Sequence, residues 1–383
     1  MAGEFHRNLD PVILTGSVHP TLATSVGKIL NYDVFPANRK SFADTELNIK
    51  LPVNVAGRHV YVIQPTCRTF GPDGNTVIPG SANTSVIETA LIIDAANQSD
   101  AGEITVIMPH FAGQRADKKD EPRVPLSGKL LAELYQNAGA DRIITMDLHN
   151  PALENAIRGR NTWKNVFASW VLVPEIEALG LKRIRVTSPD SGGLKRGEKF
   201  YEMLHGRVDV LTGVYSAAKH RPNNVKDMST TDQFELDLKG ENAVEVDDVL
   251  SSGKTLADGA AVFKEAGAAR VIAVVTHGIW TNDAVSRIRD SAIEQLFVTD
   301  SVPQPKSVLE DNSGRIKVFS VAPIIAGIIE CLETGDSISS RYILTPKEEE
   351  PVEPLYQRDP NRPTLIGSNR PLGLLQAQLL SAH

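Results

Sequence analysis

Only two cysteines, Cys67 and Cys331, occur in 383 residues. That is too few for a disulfide framework or a cysteine-rich metal site. Nor is there an excess of positive charge: 40 Lys and Arg stand against 47 Asp and Glu, a net charge of -7 at pH 7. This balance argues against a nucleic-acid partner, local basic patches aside. No apolar run reaches the roughly 20 residues needed to cross a bilayer. The first ten residues lack the apolar core of a secretory signal. A cytoplasmic location is therefore expected, with no membrane association. What remains is ordinary for a soluble globular chain, 41% hydrophobic and 23% charged, and long enough for two domains.

Short runs rich in β-branched residues alternate with helix-like segments. Residues 60–64, 104–108, 142–146, 183–187 and 271–275 predict strands, several of them buried on both faces. Residues 85–98, 127–137, 255–265 and 321–332 predict helices from their apolar spacing. The alternation predicts an α/β fold with mainly parallel sheets flanked by helices. There is an internal echo as well. Gly-Lys-Leu-Leu-Ala from Gly128 and Gly-Lys-Thr-Leu-Ala from Gly253 are each followed by an Ala-Gly-Ala turn, a strand and a histidine, His149 or His277. The echo points to two related α/β domains, with chance similarity of two βα units as the alternative. After Thr345, glutamates mix with repeated prolines, a composition that cannot bury enough surface to fold alone. The expected division is 1–165, 166–344 and a tail of 345–383.

The most informative stretch is Glu-Val-Asp-Asp-Val-Leu-Ser-Ser-Gly-Lys-Thr, residues 245–255. Asp247 and Asp248 stand where a strand should end. A hydroxyl-rich turn follows at a helix start, formed by Ser251, Ser252, Gly253, Lys254 and Thr255. Amide groups at such a start, with the helix dipole behind them, favour a phosphate. The paired carboxylates can accept hydrogen bonds from sugar hydroxyls. One loop could thus hold a phosphorylated pentose, although an ordinary capped turn has the same composition. A nucleotide P-loop is excluded, because Asp248 stands where its first glycine is required.

Four other loops carry candidate chemistry. Asp147-Leu148-His149 lies at a predicted strand end, where an Asp and a His two apart on a strand would point the same way, towards a hard cation, its waters or a phosphate. Arg115, Lys118 and Lys119, close to Asp117 and Asp120, suit a polyphosphate, or else form a self-neutralising charged loop. Asp190, followed by Gly192 and Gly193, could meet a sugar or a cation, or cap the next helix. Lys219 and Arg221 open a long polar stretch with little periodicity, of the kind that forms lids and binding loops. Cations arriving with a lid could neutralise charge in a transition state.

In this order, the five loops resemble ribose-phosphate diphosphokinase, the phosphoribosyl pyrophosphate (PRPP) synthetase family, over residues 12–340. The resemblance implies two tandem type I phosphoribosyltransferase-like domains, a homo-oligomer such as a hexamer built from dimers, and Mg2+ as cofactor. ATP and ribose 5-phosphate are the implied substrates, and AMP and PRPP the products. It implies ATP contacts at Phe42, Asp44 and Glu46, on a segment that reaches a neighbouring subunit's site, and at Arg115 and His149. Asp147, His149 and Asp190 match magnesium-associated positions. Lys219 matches the catalytic lysine and Arg221 its partner. Asp247 and Asp248 match the ribose-hydroxyl carboxylates, and residues 251–255 the 5-phosphate loop.

The chain also departs from the family. Ala116 stands where Gln is usual, Ser251 removes an acidic group, and Lys254 replaces a glycine. Residues 150–157 diverge, and Glu121 and Pro122 replace residues near the usual regulatory site, so the family's phosphate activation and ADP inhibition do not carry over to this chain by resemblance alone. Residues 68–83 read as an inserted loop. Three alternatives stand beside the synthetase: a catalytically weak regulatory paralogue, a phosphoribosyltransferase that consumes PRPP, and a sugar-phosphate-sensing regulator.

Overall fold

The β-branched runs form strands because their side chains fill both faces of two parallel sheets. The computed structural model describes residues 10–119, 121–157, 162–217 and 236–343. The first sheet has six strands: β1 (Val12–Thr15), β2 (Val34–Pro36), β5 (His59–Ile63), β6 (Glu103–Met108), β7 (Arg142–Met146) and β8 (Thr162–Val166). Their order is β2-β1-β5-β6-β7-β8, all parallel. Between β2 and β5, an antiparallel hairpin of β3 (Asn38–Ser41) and β4 (Leu47–Lys50) stands apart from the sheet. The second sheet repeats the pattern with β9 (Ile184–Ser188), β10 (Tyr215–Ser216), β11 (Asn242–Leu250), β12 (Arg270–Gly278), β13 (Gln295–Thr299) and β14 (Ile316–Phe319), in the order β10-β9-β11-β12-β13-β14. Parallel strands need crossovers, and helices supply them. In the first half these are α1 (Pro20–Leu30), α2 (Ser81–Asn97) and α3 (Ser127–Ala138), with α4 (Ser169–Ala178) leading into the second half. In the second they are α5 (Leu194–Leu204), α6 (Lys254–Glu265), α7 (Ala284–Asp290) and α8 (Lys306–Leu309), and α9 (Ala322–Thr334) follows the last strand. No helix among the described residues is long and apolar enough to cross a membrane.

The fold is thus α/β with two parallel sheets of matching strand order, but the sequence echo is not the repeat itself. Its first copy ends in β7, the fifth strand of its sheet. Its second ends in β12, the fourth. What the copies share is local: Gly139 and Gly267 each take a positive φ, 117° and 92°, just past a helix end, a conformation that suits glycine. The positional counterpart of His277 is His110, just after the fourth strand of the first sheet. The two rings meet edge-on at 5.0 Å.

One core runs through both halves. Ile13, Tyr61, Ile107 and Ile144 of the first sheet join Ile184, Val244, Ile272 and Phe297 of the second, with α1, α4 and α9 packed between. The outer face of each sheet has a separate core. Ile324, Ile325, Ile328 and Ile329 of α9 are at most 1% exposed, and each contributes about 2 kcal/mol by burial. That outweighs any one seam hydrogen bond, worth about 1 kcal/mol net. Polar contacts then fix the register of the halves. Tyr61 donates to Glu333 of α9 at 2.6 Å, and Thr276 donates to Asp147 at 2.7 Å. His277 donates from Nε2 to the Met146 carbonyl at 3.0 Å.

His277 carries a pH signature. Burial, followed by the neighbouring His110, lowers its pKa from 6.5 to about 3. The unfolded chain therefore takes up a proton that the folded imidazole refuses, and stability falls as pH drops from 6.5 towards 3, by at most about 1.4 kcal/mol per pH unit. Urea unfolding between pH 7 and pH 4 should show this decline, and His277→Gln should make it shallower. Equal slopes for both proteins would remove the histidine from the explanation.

Candidate active site at the seam of the two sheets

Strand β11 runs three residues further than the sequence suggests, because it stays paired with β12 to the Leu250–Gly278 position. Asp247 and Asp248 therefore lie inside the strand, with backbones already fixed by the sheet. Two adjacent carboxylates there need neutralising. Arg196 of α5 does this with both arms, Nη1 at 3.2 Å from Asp247 Oδ1 and Nη2 at 3.2 Å from Asp248 Oδ2. From the first half, His149 places Nδ1 at 2.9 Å from Asp248 Oδ2. The electrostatics follow. Burial, then the charge of Asp248, raises the Asp247 pKa. Burial also works to raise Asp248, but the His149 hydrogen bond and the Arg196 charge outweigh it and hold that carboxyl below the ordinary range. The bond to Asp248 in turn raises His149.

The loop after β11 turns at Gly253, whose φ of 70° suits glycine. An added Cβ there would stand 3.3 Å from Ile288 of α7. Ser251 Oγ lies 3.1 Å from Thr281 Oγ1, and Arg287 donates to the Ser252 carbonyl. The first turn of α6 thus presents amide groups beside the carboxylate pair, as an anion site requires. Lys254 does not close this space. Its ammonium lies 2.8 Å from Asp258 Oδ2, one turn along the same helix, and its side chain is 70% exposed.

On the first-half side, the loop bearing Arg115 is tied to the His149 loop. Gln114 Oε1 accepts from the His149 amide at 3.1 Å, and Asn150 donates to Asp117. Arg115 is exposed, and its charge contributes to lowering the His110 pKa, an effect smaller than that of burial. Asp190 is exposed, with Oδ1 accepting from the Gly193 amide at 3.0 Å just before α5. It caps that turn, and Arg196 follows on α5.

Two expectations need correction. Asp147 and His149 do not point the same way. Strand β7 ends at Met146, and Asp147 takes a φ of 41°, which breaks the alternation. Asp147 is buried and accepts from the Ala168 amide at 2.9 Å as well as from Thr276. It therefore holds the two halves together, and does not share the magnesium-facing position expected with His149. Arg196, for which no role is expected from the sequence, joins the whole carboxylate cluster. Its available signal was a basic residue in the helix that opens just after the Asp190 turn. Phe42, Asp44 and Glu46 lie at the tip of the β3–β4 hairpin, where the Phe42 amide donates to the Glu46 carbonyl at 2.9 Å. Phe42 is 44% exposed, with Lys40 Nζ 5.3 Å above its ring. Among the described residues, no hydrogen bond or ion pair joins this tip to the seam cluster. Lys219 and Arg221 lie outside the described residues.

A carboxylate pair beside a helix N-terminus, at the carboxyl ends of parallel strands, defines an α/β protein whose site suits a phosphorylated, hydroxylated ligand. Comparison with known proteins narrows this class. Residues 11–139 match the N-terminal domain of ribose phosphate pyrophosphokinase, and residues 192–343 match the phosphoribosyl synthetase-associated domain. The ribose-phosphate pyrophosphokinases of Wolinella succinogenes and Aquifex aeolicus are each 32% identical over 331 residues, 86% of this chain and 98% of theirs. The crystal structure of phosphoribosylpyrophosphate synthetase from Mycobacterium smegmatis superposes with a TM-score of 0.70 at 27% identity, covering 85% of this chain and all of that one. The chain belongs to the ribose-phosphate pyrophosphokinase family.

The His149–Asp248 contact is open to direct measurement. The His149 imidazole should titrate above 6.5 by NMR, and Asp248→Asn should bring it back down. An unchanged titration in that variant would mean that the contact does not set the charge of His149.

Proposed function

We propose that the chain is a ribose-phosphate diphosphokinase, which transfers the β,γ-diphosphoryl group of ATP to the 1-hydroxyl of ribose 5-phosphate and releases AMP and PRPP. The observation that carries this reading is the Asp247/Asp248 pair, neutralised from both halves and set beside the α6 N-terminus. A carboxylate has about four acceptor sites, so each Asp keeps capacity for a sugar hydroxyl after Arg196 and His149 are satisfied. The 5-phosphate then sits on residues 251–255.

The sugar oxygen attacks the β-phosphorus in line, forming a C1–O–P bond and breaking the bond to the oxygen that leaves with AMP. Such a reaction depends on positioning and on neutralising charge, more than on a covalent nucleophile. In this reading Arg115 and the second ring nitrogen of His149 face the ATP phosphates, and Lys219 and Arg221 supply cations to the transferring group. The Phe42, Asp44 and Glu46 tip serves the adenine and ribose of ATP bound to a neighbouring copy, which makes the enzyme a homo-oligomer. Mg2+ is the expected cofactor. Such an ion takes one or two protein donors and otherwise waters and substrate phosphates. The exposed Asp190 and the half-exposed His149 fit that donor set. Bound there, the ion would neutralise phosphate charge. Cys67 and Cys331 are buried free thiols, which supports a cytoplasmic location.

The deciding experiment is AMP formation from ATP and Mg2+, with and without ribose 5-phosphate. AMP and PRPP should appear together, and only when the sugar is present. Lys219→Ala should lower kcat by roughly a hundredfold or more, with the fold intact by circular dichroism. Folded protein that binds either substrate but releases no AMP would favour the regulatory paralogue instead.

A further inference from the structure

The segment that reads as an insertion, residues 68–80 before α2, reaches across the seam to the second half. Arg68 donates from Nη2 to the Trp280 carbonyl in the second half, and its guanidinium lies 5.0 Å over the Phe70 ring. The loop is internally tied by Gly71 to Thr76 and Ile78 to Thr69 backbone bonds, at 2.7 and 3.0 Å. Its tip docks on the start of α8: the Lys306 amide donates to the Gly74 carbonyl, and the Ser307 amide to Asn75 Oδ1, both at 2.9 Å. Beneath Arg68, Cys67 and Val18 of the first half pack with Val302 and Ile279 of the second.

The turn that Arg68 grips is the one that shapes the sugar-phosphate loop. The Ile279 amide donates to the Leu250 carbonyl at 2.8 Å, and the Thr281 amide to the Ser251 carbonyl at 2.9 Å. Thr281 also meets Ser251 through its hydroxyl. Trp280 has a φ of 54°, an uncommon conformation for a bulky residue. It is held by its indole N–H to Gln304 Oε1 at 2.6 Å and by the Arg68 contact on its carbonyl. A continuous line of bonds therefore runs from the inserted loop, through residues 279–281, to the backbone of residues 250–252.

We infer that Arg68 is a positioning residue for ribose 5-phosphate: the inserted loop braces the sugar-phosphate loop from the ATP half. The inference rests on the proposed sugar-phosphate site. A charge-assisted bond to a buried carbonyl fixes orientation as well as contributing energy, and a phosphate loop built from backbone amides is sensitive to small displacements.

The test is a comparison of wild type, Arg68→Ala and Arg68→Lys, by steady-state kinetics and by calorimetric titration with ribose 5-phosphate. Arg68→Ala should raise the KM and the Kd for ribose 5-phosphate by roughly tenfold, the share expected from one charge-assisted hydrogen bond. The KM for ATP should stay unchanged, and Arg68→Lys, which keeps a charged donor, should recover part of the loss. If Arg68→Ala does not fold, Thr281→Val removes the hydroxyl contact to Ser251 nearer the loop and should give a smaller shift with the same selectivity for ribose 5-phosphate. Unchanged ribose 5-phosphate binding in the folded variants, or equal shifts for both substrates, would overturn the inference while leaving the site reading intact. Wild type that neither binds ribose 5-phosphate nor forms AMP would overturn both.

Discussion

Two adjacent carboxylates towards the carboxyl end of a largely buried strand are the constraint on which this molecule turns. Asp247 and Asp248 cannot both remain charged in a low-dielectric interior without compensation. The fold supplies it from two directions, Arg196 from α5 of the same half and His149 from the loop after β7 of the other. The second contribution makes the site depend on the seam. If the halves separated, Asp248 would lose His149. His149 is half-exposed and Arg196 stays with Asp248, so solvent screens the contact and its loss costs less than breaking a fully buried pair. The carboxylate pair is therefore both the candidate ligand site and a reason for the halves to stay in register.

The seam itself is built in layers of different strength. Apolar burial between α1, α4, α9 and both sheets supplies most of the free energy but little directional information. The hydrogen bonds of Asp147, His277, Tyr61 and Arg68 supply direction. Each is modest alone, yet each would leave a buried polar group unsatisfied if the sheets slid past one another. Matching strand order in the two sheets lets this happen symmetrically in one place, where His110 and His277, after and within the fourth strands, meet ring edge to ring face.

Much of the fold was legible in the sequence because parallel strands buried on both faces leave near-continuous β-branched runs, and because glycine marks the helix ends. The carboxylate pair and the sugar-phosphate turn were legible for a related reason: strand, small turn and helix start adjoin in the chain. Asp147 was misread because the alternation rule holds only within a strand, and β7 ends one residue earlier. Arg196 was missed because its partners lie 51 and 52 positions further on, across the sheet (247 − 196 and 248 − 196). Nothing in a helix's local pattern says which charged residue faces such a partner. The echo was legible as a helix-stop motif and misleading as a domain repeat, since Gly139 and Gly267 end helices that precede strands in different places of their sheets.

The departures at Ser251 and Lys254 can now be weighed against how the loop is held. Its shape comes from backbone acceptors: the Leu250 and Ser251 carbonyls bond to the amides of the 279–281 turn, and the Ser252 carbonyl to Arg287. The one position that demands a particular residue type is Gly253, with its positive φ, and glycine stands there. Lys254 takes an ordinary place in the first turn of α6 and pairs outward with Asp258, while Ser251 meets Thr281 through its hydroxyl. A loop held by its backbone tolerates changes in side chains that a loop held by side chains would not. On this argument the demand for a particular geometry shifts from the loop's own sequence to the turn that grips it, and so to Arg68, which holds that turn from the other half of the molecule.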